Sequence, residues 1–425
     1  MSIFSSLYTG ASGMSAHGSA IGIVGDNIAN VSTIGFKRSR AAFADVLGGN
    51  MGAQRLGQGV RLGAPDQQFG QGSIQQTGGT MDVAIRGRGM FVVSGAHDGR
   101  TSQYYTRDGR FNLDKSGYVV DPRGLRLQGY LINGAGQTAT TATDLDLAGH
   151  TSPPTPTTEA GLSLNLDSNS PVPTTAFDPA DPTSFNYQTA ATVYDSLGNA
   201  HAVQTYYRNT GGGAWEWHAM VDGSEVTGGT AGTMSEIGTG TLTFTTNGAL
   251  DTETGTASAD FIGATPGQAI AFDFGDSLTT DGGDGTGTSQ TAGASTVNGL
   301  DIDGHAAGNL IDVSIADDGT ISGRFDNGET FAMARVALAL FANDEGLTRA
   351  GDGVWSESST SGAPLVDAAS TGGRGALSAG ALEGSNVELG DELVTMIAYQ
   401  RAFQANVKTV TTADEMLAEV ANLKR

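Results

Sequence analysis

Apolar residues recur every three or four positions at both ends of the chain, and the middle switches to a period of two. Near the N-terminus, Ile3, Leu7, Gly10, Met14, His17, Ile21, Val24 and Ile28 keep a 4-3-4-3 spacing. Near the C-terminus, Leu389, Leu393, Met396, Gln400, Phe403, Val407, Val410, Asp414 and Leu417 do the same, with Gln400 and Asp414 as polar intrusions. Such spacing predicts one narrow apolar seam per helix, the pattern of a coiled coil rather than of a globular core. Each seam needs a partner, and the nearest candidate is the seam at the other end.

Five glycines (Gly10, Gly13, Gly18, Gly22, Gly25) burden the first helix, each by roughly 0.8–1 kcal/mol relative to alanine. Either that helix orders only on a template, or its glycines serve close packing against a neighbour. The second helix is expected from Val387 to Lys424. Ser385 and Glu388 read as a capping box, Asp391 and Glu392 suit the first turn, and Lys424 and Arg425 the last. Thr411-Thr412 reads as a possible break or second cap.

Between the helices, strand-length segments run from Met81 to Ile85 and Phe91 to Val93. Turns at Asp108-Gly109, Asp114 to Gly117 and Asp121 to Gly124 separate four further segments and predict a β-meander. The Thr/Pro-rich stretch from Thr138 to Thr158 reads as a stiff linker. A second β-region spans roughly 160–277, with a hairpin turning at Ser196–Asn199 and Trp215 and Trp217 on one strand face. A low-complexity run, Thr279 to Thr296, closes it, and strands resume at Leu310–Ile315, Thr320–Phe325 and Arg335–Phe341.

The predicted fold class is therefore mainly β with a terminal α-helical coiled coil, nested as a multidomain chain. The terminal core is expected from 1–30 and 385–425, a connecting segment from 31–75, and an inner β-domain from 76–145 and 301–384. An inserted outer β-domain is expected from 146–300.

Composition narrows the function. The 425 residues carry 45 Asp and Glu against 22 Lys and Arg, a net charge of −23, which argues against nucleic acid or anionic membrane as partner. Cysteine is absent, so disulfides and thiolate metal sites are excluded. No apolar run approaches the ~20 residues that span a bilayer, and no basic n-region of a Sec leader precedes Lys37. The six histidines are scattered without zinc spacing, and no G-x-S-x-G elbow occurs. Gly282 to Gly287 resembles one copy of a calcium-binding nonapeptide but reads as linker, and Asp301 to Gly304 falls short of an EF-hand loop. The expectation is a non-enzymatic structural protein without catalytic, metal or cofactor residues.

The motifs carry a family resemblance. Asn27-Ile28-Ala29-Asn30 followed by Thr33-Ile34-Gly35-Phe36-Lys37 resembles the N-terminal signature of bacterial flagellar rod and hook proteins. Gln71-Gly72-Ser73-Ile74, Asp82 to Ile85, Gly87 to Phe91, and the blocks from Tyr105 to Tyr130 continue it. Ser385-Asn386-Val387, Glu392-Leu393-Val394, Gln400-Arg401-Ala402-Phe403-Gln404-Ala405-Asn406 and Thr412 to Leu417 match at the other end. Met90 and Ile34 depart from the common pattern. Thr192 to Asn199, Phe341-Ala342-Asn343 and Gly351 to Trp355 resemble the hook member, and the insert argues against a distal rod protein, the nearest alternative. A secreted β-rich adhesin is the more distant one.

The resemblance implies a helical homopolymer that joins rod to filament as a universal joint for motor torque. It implies rod, hook-cap and hook–filament junction proteins as partners. It also implies export through the flagellar type III apparatus, with no Sec signal peptide, to an extracellular place in the hook. The expected assembly residues are Ile3, Leu7, Met14, Ile21, Val24, Ile28, Leu389, Leu393, Met396, Phe403, Val407, Val410 and Leu417. The signature residues are Asn27, Asn30, Thr33, Gly35, Phe36, Lys37, Gln400 and Arg401.

Overall fold

The computed structural model describes residues 3–51, 54–134 and 136–422, with side chains except at 3, 48–51, 54–56, 421 and 422. Two long helices, α1 (Ile3–Ala29) and α2 (Leu389–Asn422), bracket a succession of β-strands, so the chain is mainly β with helical ends. It divides into two compact units: one from 1–149, 312–324 and 330–425, the other from 150–311 with 325–329. The expected insert boundaries of 146 and 300 differ from these by four and eleven residues.

In the first unit, strands from both halves of the chain interleave. Thr330–Leu340 pairs with Arg126–Leu131, Met90–His97 and Leu365–Ala368, and Met90–His97 also pairs with Arg100–Thr106. Val336 to Ala339 and Phe91 to Val93 are fully buried, as apolar runs covered on both faces require. Tyr105 packs edge-on against Phe341 with ring centroids 4.7 Å apart, and Phe69 does the same against Trp355 at 4.9 Å.

The meander is shorter than expected. Asn112–Leu113, Val119–Val120 and Arg126 pair in sequence, but Arg100–Thr106 pairs with Met90–His97 and Val354–Ser356 instead. Its turns form as the residues dictate: Asp114 Oδ1 accepts the Ser116 and Tyr118 N–H groups, and Asp121 Oδ1 those of Arg123 and Leu125.

Three segments correct the sequence reading. The stretch from Thr138 is no bare linker, since Leu145 and Leu147 are buried in the first unit's core. Leu145 N–H also donates to Leu127 O at 3.0 Å. The connecting segment holds a hairpin, Phe43–Met51 with Gln54–Leu62, and Ser39–Arg40 pairs with Asp66–Gln67. The run from Thr279 is tied by hydrogen bonds: Ser277 Oγ donates to Asp281 at 2.7 Å, and buried Thr288 bridges Leu162 O and Leu164 N.

The second unit is built on one sheet ordered Tyr187–Tyr194, Ala200–Gly211, Ala214–Asp222, Met234–Phe244, Leu250–Ala259, Gln268–Asp273 and Glu159–Asp167, with Ser289–Thr291 and Thr296–Ile302 both paired to the last. Trp215 and Trp217 do share a face and are fully buried with Tyr207, Leu162, Leu164 and Phe274. Gly255, at φ +129°, lets the chain pass the Trp217 ring; a Cβ there would lie 2.4 Å from Cζ2. The turn after Tyr194 closes as expected, with Asp195 Oδ1 accepting the Leu197 and Asn199 N–H groups.

Leu145→Ala is expected to lower the stability of the first unit by about 2–5 kcal/mol, read by thermal unfolding. A loss under ~0.5 kcal/mol would return the segment to the status of a linker. Burial, reinforced by Asp273 and Asp281, pushes the Glu253 carboxyl up to about 7 despite the hydrogen bond from Phe274 N–H. The folded carboxyl therefore holds its proton to higher pH than the unfolded one. Its contribution is complete below the ordinary value of 4.5 and is lost as pH rises through about 7. Glu253→Gln is expected to flatten that part of the stability profile, and an unchanged slope in denaturant titrations between those pH values would refute it.

Candidate assembly site

The two terminal helices pack antiparallel. Gly10 lies beside Val410, Gly13 beside Asn406, Gly18 beside Phe403, and Asn27 beside Glu392. The buried line on α1 is Gly10, Gly13, Ala16, Ala20, Val24 and Asn27. A Cβ on Gly10 would stand 2.8 Å from Val410 Cγ2, and one on Gly13 2.4 Å from Asn406 Oδ1. Small residues occupy the line of closest approach because interaxial distance is set by the side chains there.

The expected seam is consequently split. Val24 is buried, while Leu7, Met14, Ile21 and Ile28 are half-buried along the flanks of the small-residue line; the Ile3 side chain lies outside the described residues. On α2, Met396, Phe403, Val410 and Leu417 are half-buried. Leu389, Leu393 and Val407 are exposed on the outer side, and so are Phe4, Tyr8, Val394, Ile397, Met416 and Val420. Around Gly22 and Gly25, a Cβ would meet nothing within 4 Å. Within one chain, then, the helix pair closes on small residues and turns much of its apolar surface outward. Apolar surface gathered in this way differs from the scattered single side chains of an ordinary exterior.

Helix ends differ from expectation in detail. Ser385 Oγ accepts the Val387 N–H at 3.3 Å and makes no capping box with Glu388, because α2 starts only at Leu389. Asp391 and Glu392 occupy its first turn, favourable at a helix N-terminus. No break occurs at Thr411-Thr412: Thr409 and Thr411 turn their hydroxyls back to the Ala405 and Lys408 carbonyls and the helix continues. Lys424 and Arg425 lie outside the described residues.

A polar joint ties the foot of the helix pair to the β-structure. Asn30 ends α1, its Nδ2 donating to Asp26 O at 2.9 Å and its Oδ1 accepting from Thr33 Oγ1 at 3.0 Å. Asn27, fully buried, clamps the returning chain by donating to Ser39 O and accepting from Ser39 N, while its Nδ2 also reaches Glu392 Oε2 at 3.1 Å. Gly35 sits at φ +68°, and a Cβ there would lie 2.7 Å from the Arg107 backbone, so glycine alone fits. Phe36 is buried, with the Arg349 guanidinium over its ring.

Lys37 then enters the joint's centre. Its Nζ donates to Glu383 Oε1 and to Gly70 O, each at 2.7 Å. Arg107 Nη1 donates to Glu383 Oε2 at 2.9 Å and Nη2 to Gly87 O at 2.7 Å, while Gly72 N–H also donates to Glu383 Oε1. Lys37 and Glu383 are wholly out of solvent. Burial, with Arg107 alongside, lowers the Lys37 pKa below that of a free amine, and Glu383 works against that shift. Asn386 completes the joint by accepting from Arg38 N–H and donating to the Gln68 and Gly70 carbonyls.

Of the signature residues, Asn27, Asn30, Thr33, Gly35, Phe36 and Lys37 thus belong to this joint. Gln400 and Arg401 do not: they stand exposed on α2. Sequence reasoning missed Glu383 as the hub. Its signal was a carboxylate closing the apolar run Ala381-Leu382 in a chain whose lysines number only four.

Four family models match this chain. They are Flagella basal body rod protein over residues 7–37, Flagellar hook protein FlgE/F/G D1 domain over 84–151, Flagellar basal body protein FlaE D2 domain over 165–305, and Flagellar basal body rod FlgEFG protein C-terminal over 378–423. Flagellar hook protein FlgE of Escherichia coli K12 is 35% identical, the match covering 97% of this chain and 98% of that protein. The Salmonella typhimurium LT2 protein of the same name is 34% identical over 97% and 98%, and that of Treponema pallidum Nichols 33% over 99% of both. The crystal structure of Helicobacter pylori flagellar hook protein FlgE2 matches at 16% identity over 71% of this chain and 98% of that one, with a TM-score of 0.43.

The joint generates its own test. Glu383→Gln removes the charge that two buried cations share, and is expected to destabilise the first unit by about 3–5 kcal/mol. Calorimetry of the variant should show that unit's transition lowered while the second unit's stays in place. An unshifted transition would mean that the cluster is not a structural tie.

Proposed function

The chain belongs to the flagellar hook protein family, and on that premise we propose that it is the structural subunit of the bacterial flagellar hook. In this reading, many copies assemble into a flexible tube that links the basal-body rod to the filament and passes motor torque through a bend. The observation that supports it most directly is the outer face of the terminal helix pair, where Leu393, Val394, Ile397, Val407 and Met416 are exposed together with the open glycines of α1.

Burial against neighbouring helices gives that face its role. Each exposed leucine, isoleucine or valine stands to gain about 1.5–3 kcal/mol on full burial, so a contact repeated along a tube accumulates readily. Gly22 and Gly25 weaken α1 by roughly 1 kcal/mol each without any neighbour to justify it inside the chain. A second copy approaching there supplies the justification. The terminal helices form the inner wall in this arrangement, and the polar surfaces of the β-units slide past each other as the tube bends.

In this reading the role is mechanical. Rod, hook-cap and hook–filament junction proteins are the heterologous partners. Delivery runs through the flagellar type III apparatus to an extracellular position, which suits a chain without cysteine.

Electron microscopy of the purified protein under polymerising conditions is expected to show curved tubes of uniform diameter. Val407→Asp carries the proposal to a residue. Val407 is about a third exposed in the single chain, so the soluble variant should keep wild-type stability within about 0.5 kcal/mol. In a tube the same carboxylate would be buried without a partner, so the variant should sediment as subunits only. Normal tubes would remove this face from the assembly contact. Gly22→Ala makes the complementary case: it is expected to stabilise α1 in the soluble chain and still to impair tube growth.

A further inference from the structure

Charge is distributed very unequally between the two units. The second unit holds 20 of the 45 carboxylates and one of the 22 basic side chains, so 19 of the 23 net negative charges belong to it. The first unit, with 21 basic and 25 acidic side chains, is close to balanced. The single cation, Arg208, is already engaged: it donates to Glu216 at 3.1 Å and to the Thr175 and Pro173 carbonyls. No basic side chain of that unit is left to meet a carboxylate of another copy.

The carboxylates are spread over the unit. Glu159, Asp178, Glu236, Asp260, Asp276, Asp281, Asp284, Asp301, Asp303 and Asp326 are exposed, and only Asp195 is fully buried. Among the described residues they gather into no coordination site. Their effect is that of a diffuse field.

We infer that the second unit is a self-repelling surface between copies of this chain, whose spacing in the assembly is set by the salt cations that screen it. The inference rests on the polymer reading above for its consequence, though the repulsion exists between soluble copies too. Two bodies of charge −19 repel over the Debye length, about 30 Å at 0.01 M salt but ~8 Å at 0.15 M and ~3 Å at 1 M. Contacts between first units, nearly neutral, lack such a term. Salt therefore acts on the spacing between second units while leaving the helix contact alone, which makes tube growth and curvature functions of ionic strength.

Two measurements on the full chain test this. For the soluble protein, the second virial coefficient from light scattering is expected to be strongly positive at 20 mM NaCl and to fall toward zero by 500 mM. In polymerisation, the critical concentration for tubes is expected to fall about tenfold over the same range. The comparison variant carries Glu159→Lys, Asp276→Lys, Asp284→Lys and Asp301→Lys, exposed positions whose side chains hold no strand in place. It takes the unit from −19 to −11, and the product of charges on two copies to about a third. Its virial coefficient at low salt and the salt slope of its critical concentration should both drop by about that factor.

A salt-insensitive virial coefficient, or one equal in variant and wild type, overturns the inference. MgCl₂ acting far below the NaCl that matches its ionic strength overturns it as well, by revealing a discrete ion site. Tubes missing at every ionic strength contradict the hook reading alone, because the virial measurement still decides the repulsion.

Discussion

One buried carboxylate holds the chain's two ends in a common frame. Glu383 takes hydrogen bonds from Lys37, Arg107 and the Gly72 N–H, each from a different segment. Lys37 lies eight residues after α1, and Glu383 lies six residues before α2. Removing Glu383 strands both cations out of water, at several kcal/mol, so this carboxylate is what fixes the three segments together. The nearby Asn27 and Asn386 extend the tie into the helix pair and the segment around Gly70. Helices that present an outward face need such an anchor, since a face aimed wrongly has no partner to find.

That anchor makes sense of how the helices divide their surfaces. Small residues close the contact inside the chain, which leaves the larger apolar groups at the flanks and outside. In the proposed assembly, the exposed leucines, isoleucines and valines of α2 are the groups that a neighbouring copy would cover. Charge is divided as well: the first unit, which carries the helices, is close to balanced, and the second holds 19 of the 23 net negative charges. In the proposed assembly, attraction and repulsion then belong to separate parts of one chain, where each can be tuned without disturbing the other.

Much of this was legible from residues alone. The heptads located both helices to within a few residues, and Asp-Gly turns placed strands wherever Asp side chains cap their own turns. The face was legible only in part. Gly10 and Val24 stood in the heptad, and close packing was one reading of the glycines. But a heptad reading weights the largest apolar side chains, whereas Gly13, Ala16 and Ala20 join the closest line because backbones approach there. Glu383 was missed for another reason: its partner Lys37 stands 346 positions away, and a carboxylate after the short apolar pair Ala381-Leu382 is a weak local sign of burial. Leu145 and Leu147 were hidden by the threonines around them, which diluted the apolar pattern below notice. The signature residues Asn27 to Lys37 marked the joint without revealing that its role is to tie.

The central claim is that the outer face of the helix pair is buried only on assembly. A chain without native cysteine allows it to be tested by thiol reactivity, because a single introduced thiol is the only one present. Val394, 68% exposed on α2, is the position to replace with cysteine. In soluble subunits that thiol should react with a small maleimide at the rate of a free thiol. In tubes of the same variant the rate should fall by at least an order of magnitude, as exclusion from water dictates. Equal labelling rates in subunits and tubes would contradict the account.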